Sequence, residues 1–71
     1  MLLSETFRRN VKKFRTVKGI TRRQLAVMSG LGEASIYKIE ERGNSRVDTV
    51  SRIAFALGVE PWLMFVREEE G

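Results

Sequence analysis

Between Glu33 and Lys38 the chain sets out five side chains suited to meeting another molecule: Glu33, Ala34, Ser35, Tyr37 and Lys38, interrupted by Ile36 and followed by Ile39. At helical periodicity the two isoleucines share one face and the other five point elsewhere. Their chemistry is complementary to the edges of base pairs. A lysine ammonium donates to guanine, a carboxylate accepts from the cytosine amino group, an alanine methyl packs on the thymine methyl, and a phenol donates to a base or a phosphate. Catalytic chemistry has far fewer candidates. The 71 residues include no cysteine and no histidine, so disulfides, thiolate and imidazole metal sites and the commonest general base are absent. Neither enzyme activity nor a metal, cofactor or small-molecule ligand is expected.

The polar face needs a helix to carry it, and the sequence from Thr21 to Glu40 reads as two short amphipathic helices hinged at a glycine, the pattern of a helix-turn-helix. Leu25, Ala26 and Met28 are assigned to the inner side of the first and Ile36 and Ile39 to that of the second, with Leu31 as the apolar plug of the turn. Thr21 caps the first, which ends at Gly30; Gly32 precedes the second, expected over about 33–41. The major groove admits such a helix, so double-stranded DNA is the expected partner. The plain alternative is an ordinary solvated helix face.

Around this pair the spacing predicts three further helices. Ser4 is placed as the N-cap of the first, with Glu5 in its opening turn, Phe7, Val11 and Phe14 on its apolar face and Gly19 at its end. Arg42-Gly43-Asn44-Ser45 reads as a loop, and Ser45 with Asp48 as a capping-box start for a helix that buries Val47, Val50, Ile53, Ala54 and Leu57 before Gly58. Pro61 suits the first position of a short fifth helix, and residues 67–71 read as an acidic tail after a domain spanning 1–66. The fold expected is all-α with five helices. Met1 and Met28 are read as core filler or terminus. Met1-Leu2-Leu3 is too short for a signal segment and no apolar run reaches membrane-span length, which makes a cytoplasmic location the expectation.

Charge is unevenly spread along the chain, whose net is +4. Residues 1–24 hold eight basic residues against Glu5 alone, a net of +7, residues 25–46 balance, and residues 47–71 carry a net of −3. One end therefore suits a polyanion and the other repels it. For any single basic residue of the first helix, a solvated face is the simpler account.

Several motifs in order and spacing give the chain a family resemblance: F-R-T-V-K-G-I-T from Phe14, Q-L-A from Gln24, G-L at Gly30, I-Y-K-I-E from Ile36, D-T-V from Asp48 and I-A-F-A-L-G-V from Ile53. Together they resemble the lambda-repressor-like helix-turn-helix proteins, the phage repressors, Cro-type proteins and restriction-modification controllers, over nearly the whole chain. Arg22 departs from the glutamine common there, Gly32 from Ser or Thr, and Glu41-Arg42 stand where a single residue is usual. The stretch from Glu40 to Thr49 is about one residue shorter than is common.

The resemblance implies that Lys38, Tyr37, Ala34, Glu33 and Ser35 meet bases, with Lys38 and Tyr37 ranked above Glu33, whose carboxylate phosphates repel and which also suits a helix N-terminus. It implies phosphate contact from Arg22 at the mouth of the second helix, with Arg23, Asn44 and Arg46 on the flanks. It also implies a semi-buried ion pair, Arg15 with Glu40, that ties helices together rather than touching DNA.

Residues 62–66, W-L-M-F-V, are too apolar on all sides for one small core. Leu63 or Phe65 is expected to close the base of the domain, leaving Trp62, Met64 and Val66 as a dimer interface. The sequence thus reads as a transcriptional regulator, a repressor or autoregulatory controller, binding a palindromic operator as a homodimer. An antitoxin-type regulator and a protein-interaction module on the same fold stay open as alternatives.

Overall fold

A computed structural model describes residues 3–44 and 46–67. Four α-helices, α1 (Leu3–Lys18), α2 (Arg22–Ser29), α3 (Glu33–Arg42) and α4 (Val47–Leu57), are followed by a 3-10 helix over Pro61–Phe65. No strand occurs among the described residues. α1 packs on α3, α4 and the 3-10 helix, while α2 packs on α3 and α4. Phe7, Val11, Leu25, Ile36, Ile53 and Met64 are completely buried where these elements meet.

The helix-turn-helix is built by local chemistry. The Thr21 hydroxyl accepts from the Gln24 amide at 3.0 Å, and the Gln24 side-chain oxygen accepts from the Thr21 amide at 2.7 Å. This reciprocal box satisfies two otherwise orphaned donors at the mouth of α2. Gly30 ends α2 in the left-handed region, at φ 76° and ψ 16°, which lets the amides of Gly30 and Leu31 both return to the Ala26 carbonyl at 3.0 and 3.1 Å. Leu31 is half-buried against the core at the turn.

A second glycine has a tertiary task. Gly43 ends α3 at φ 84° and ψ −176°, a conformation populated essentially by glycine, and a Cβ there would overlap the Ser4 carbonyl group of α1. The loop after α3 is thereby seated directly on the first turn of α1.

Several expectations are corrected. Ser4 lies inside α1, which begins by Leu3, so it is not the N-cap. Met28 is exposed, and the inner face of α2 is Leu25, Ala26 and Ser29, because the helical register turns Met28 outward. α3 continues to Arg42, one residue beyond the expected end. α4 has Arg46 at its N-cap with no side-chain capping bond, and Val47 is 79% exposed because position 47 falls on the solvent stripe shared with Ser51 and Phe55. Ser45, Met1 and the tail residues 68–71 lie outside the described residues.

The fifth helix is a single 3-10 segment, bonded Leu63 to Glu60 at 2.9 Å and Val66 to Leu63 at 3.3 Å. Five residues are too few for an α-helix to gain from its wider ring. The tighter winding rotates Met64 inward to full burial, while Phe65 stacks on Phe7 with ring centroids 5.5 Å apart. Met64 is therefore core, which removes it from any exposed interface. Asn10 anchors the segment: its side-chain amide, on the buried face of α1, donates to the carbonyls of Met64 at 2.8 Å and Val66 at 3.0 Å.

Candidate nucleic-acid interface

α3 buries Ile36, Ile39 and Glu40 and leaves Glu33, Ala34, Ser35, Tyr37 and Lys38 exposed along its outer side. Glu33 and Ala34 form its first turn, where Gly32 supplies no side-chain cap and the Glu33 carboxylate faces the positive end of the helix dipole. α3 is pinned from below by its buried isoleucines, so its outer face is held as a unit.

Glu40, one of the few buried charges, organises the other end of that unit. Its side chain is 1% exposed. Arg15 of α1 donates to it twice, Nε to Oε2 at 2.6 Å and Nη2 to Oε1 at 3.3 Å, and sends Nη1 to the Ile20 carbonyl at 2.9 Å. Arg22, the first residue of α2, donates Nε to Oε1 at 2.9 Å. One carboxylate thus joins α1, α2, α3 and the α1–α2 turn. Burial alone would raise the Glu40 pKa, but the hydrogen bonds and positive charges of Arg15 and Arg22 outweigh it and hold the carboxyl below its ordinary range. The same hydrogen bond and charge raise the Arg22 pKa.

Arg22 does more than approach Glu40. Its guanidinium carbon lies over the Tyr37 ring of α3, 5.2 Å from the centroid, within cation–π range of a side chain that is 52% exposed. Sequence reasoning assigned Arg22 to phosphate and Tyr37 to DNA separately; the structure brings the two into contact with each other.

The opposite flank of α3 holds a groove of about 270 Å³, lined among others by Ser35, Lys38, Arg42, Asn44, Arg46 and Thr49. Here Ser35 and Lys38, candidates for bases, meet Asn44 and Arg46, candidates for phosphate. The Asn44 side-chain oxygen accepts from the Arg46 amide at 2.7 Å and so fixes the loop, while the exposed Arg46 side chain lies 3.8 Å from Asp48. Arg42 is a groove residue that the sequence reading did not single out; its place in the last turn of α3, four residues after Lys38, is the signal that could have found it. Arg23 is exposed beside Ile20 and Val27.

Exposed apolar side chains lie elsewhere. Trp62 is 63% and Val66 47% exposed, and α4, which packs on the 3-10 helix, adds Phe55 at 86% and Val47 at 79%. Phe55 was missed because an apolar residue inside a helical apolar pattern reads as core; its eight-residue spacing from Val47 would have placed both on one exposed stripe. Among the described residues no cluster of acidic side chains could hold a metal, and no helix is long and apolar enough to cross a membrane.

Comparison with known proteins fits this arrangement. The Helix-turn-helix family model matches residues 11–61. The restriction-modification controller protein C.AhdI from Aeromonas hydrophila is 29% identical, with a TM-score of 0.79 over 86% of this chain and 94% of that one. The wild-type controller protein C.Esp1396I is 29% identical, with a TM-score of 0.80 over 92% and 86% of the two chains. A hypothetical transcription factor, NHTF from Neisseria, is 27% identical, with a TM-score of 0.86 over 93% and 77%. No curated protein matches the sequence. With a family match across most of its length, and α2, Gly30 and α3 in the expected order, the chain belongs to the helix-turn-helix family, among its lambda-repressor-like DNA-binding transcriptional regulators.

Proposed function

We propose that this regulator acts as a homodimer on a palindromic operator, in the manner of an autoregulatory controller. The observation that carries the reading is the exposed face of α3, where Tyr37, Lys38 and Ser35 stand free of the core between Arg22 on one flank and Arg42 and Arg46 on the other. Side chains that can read bases, flanked by cations, are what insertion of a helix into the major groove requires. Arg22, Arg23, Asn44 and Arg46 serve as the phosphate contacts. The likeness to two restriction-modification controllers supports the same kind of role here.

One recognition helix offers too few contacts for tight selective binding, so two copies cooperate across a two-fold axis. The surface that supports dimerisation is Val47 and Phe55 of α4 with Trp62 and Val66, a revision of the interface expected from sequence, since Met64 is buried. Sedimentation at micromolar concentration tests it. The wild type is expected to be a dimer and the double variant Phe55→Glu with Trp62→Glu a folded monomer, because the charges would meet their own copies near the axis. A variant that stays dimeric would exclude this surface. Titration of DNA binding against salt tests the other half: each phosphate contact contributes roughly 0.9 to the log–log slope, and a slope near zero would favour an interaction module over a DNA reader.

A further inference from the structure

Glu40 does not need Arg22 for neutrality. Arg15 already meets both carboxylate oxygens, at 2.6 and 3.3 Å, and is itself fixed by the Ile20 carbonyl. Arg22 is a second cation on a carboxylate that already has one. Two contacts hold its guanidinium in place: the 2.9 Å hydrogen bond from Nε to Glu40 and the cation–π contact with Tyr37 at 5.2 Å. Glu40 and Tyr37 are three residues apart on α3, so both contacts fall on one side of the recognition helix.

The consequence concerns Tyr37. A half-exposed phenol on a helix samples more than one rotamer, and its hydroxyl sweeps a different part of the groove in each. A guanidinium laid over the ring, and itself tethered to a buried carboxylate, restricts that freedom before DNA arrives. A lysine could supply the charge but not the plane: it has no flat face to lie on the ring and no Nε donor in a fixed fork.

We propose that Arg22 is a positioning residue for base recognition, holding the Tyr37 ring in one orientation through its cation–π contact while Glu40 holds Arg22. This rests on the reading of α3 as the base-reading helix. It separates two properties of Arg22, charge and planarity, and assigns specificity to the second.

The test measures affinity for the preferred operator and for operators altered one base pair at a time, using the wild type, Tyr37→Ala, Arg22→Lys, Arg22→Gln and the double variant of Tyr37→Ala with Arg22→Lys. Thermal unfolding of each is recorded alongside. Tyr37→Ala is expected to lower base preference about tenfold at one position per half-site. Arg22→Lys should lose most of that same preference with its salt slope unchanged, and the double variant should lose no more than Tyr37→Ala alone. Arg22→Gln, whose planar amide can still cover the ring, should keep the preference better than Arg22→Lys.

The proposal is overturned if Arg22→Lys keeps the wild-type preference at every position, if adding Tyr37→Ala to it produces a second, independent tenfold loss, or if Tyr37→Ala leaves all preferences intact. Should Arg22→Lys fail to fold, Arg22→Ala decides: a loss confined to the base position that Tyr37→Ala affects supports the role, and retained preference at every position refutes it. A wild type that discriminates no sequence would be recognised separately, because it would overturn the base-reading role of α3 together with this inference.

Discussion

Truncating Glu40 would strip the acceptor from two guanidinium groups and leave Arg15, 14% exposed, charged against the core with only the Ile20 carbonyl for company. A cost of about 3–5 kcal/mol is expected for Glu40→Ala, the range for breaking a buried pair, and urea denaturation would measure it. The pH dependence has a definite sign. The folded carboxyl titrates below its ordinary value, so the unfolded chain takes up the proton first as acid is added. The contribution of Glu40 is therefore complete above the ordinary glutamate pKa, about 4.3, and is lost as pH falls through the lower folded value. Denaturation midpoints followed downward from neutral pH should decline more steeply in the wild type than in Glu40→Gln. Lys38 presents the complementary case, exposed and outside the buried network. Lys38→Ala should leave stability within about 0.5 kcal/mol and cost roughly 1–3 kcal/mol of discrimination at one base position per half-site. An unchanged selected consensus for a folded, DNA-binding Lys38→Ala protein would end its assignment to a base.

At the scale of elements, the placement of α3 depends on how its two ends are held, by Gly30 before it and Gly43 after it. Gly43→Ala combines a backbone conformation that an L side chain resists with an overlap against the Ser4 carbonyl, and neither can relax without moving α1 or the loop. About 2–4 kcal/mol of destabilisation is expected, read as a fall in the denaturant midpoint at unchanged slope. Both limits of α2 and the end of α4 were readable in the sequence because caps and glycines agree with the apolar period at Thr21, Gly30 and Gly58, as was the buried face of α3 at Ile36 and Ile39; the starts of α1 and α4 and the end of α3 were not. The register of the last segment was not. A 3-10 winding places side chains every 120° rather than 100°, and over five residues that difference decides whether Met64 or its neighbours face inward. Asn10 was equally opaque: its amide finds partners more than fifty residues away, at Met64 and Val66, and nothing local marks a polar residue on an apolar face as an anchor rather than a misfit.

For the whole molecule, the proposed reading surface is the exposed side of α3 with Arg22 of α2, and the proposed dimer surface is the exposed apolar residues of α4 and the 3-10 helix. The exposure of Glu33, Ala34, Ser35, Tyr37 and Lys38 was readable because the helical period sets them off from Ile36 and Ile39. Contacts among exposed residues, such as Arg22 over Tyr37, were not, since they depend on how α2 and α3 are oriented rather than on either helix alone. A helix-turn-helix dimer with one reading helix per protomer requires two half-sites related by the same axis, with centres about 34 Å apart so that both helices enter one side of the duplex. Selection of bound duplexes from a random pool, carried out with the wild-type protein at physiological salt, tests this most directly. Enrichment of an inverted repeat whose half-site centres lie one helical turn apart is the predicted result; enrichment of no sequence, or of a single unrepeated site bound by one copy, would contradict it.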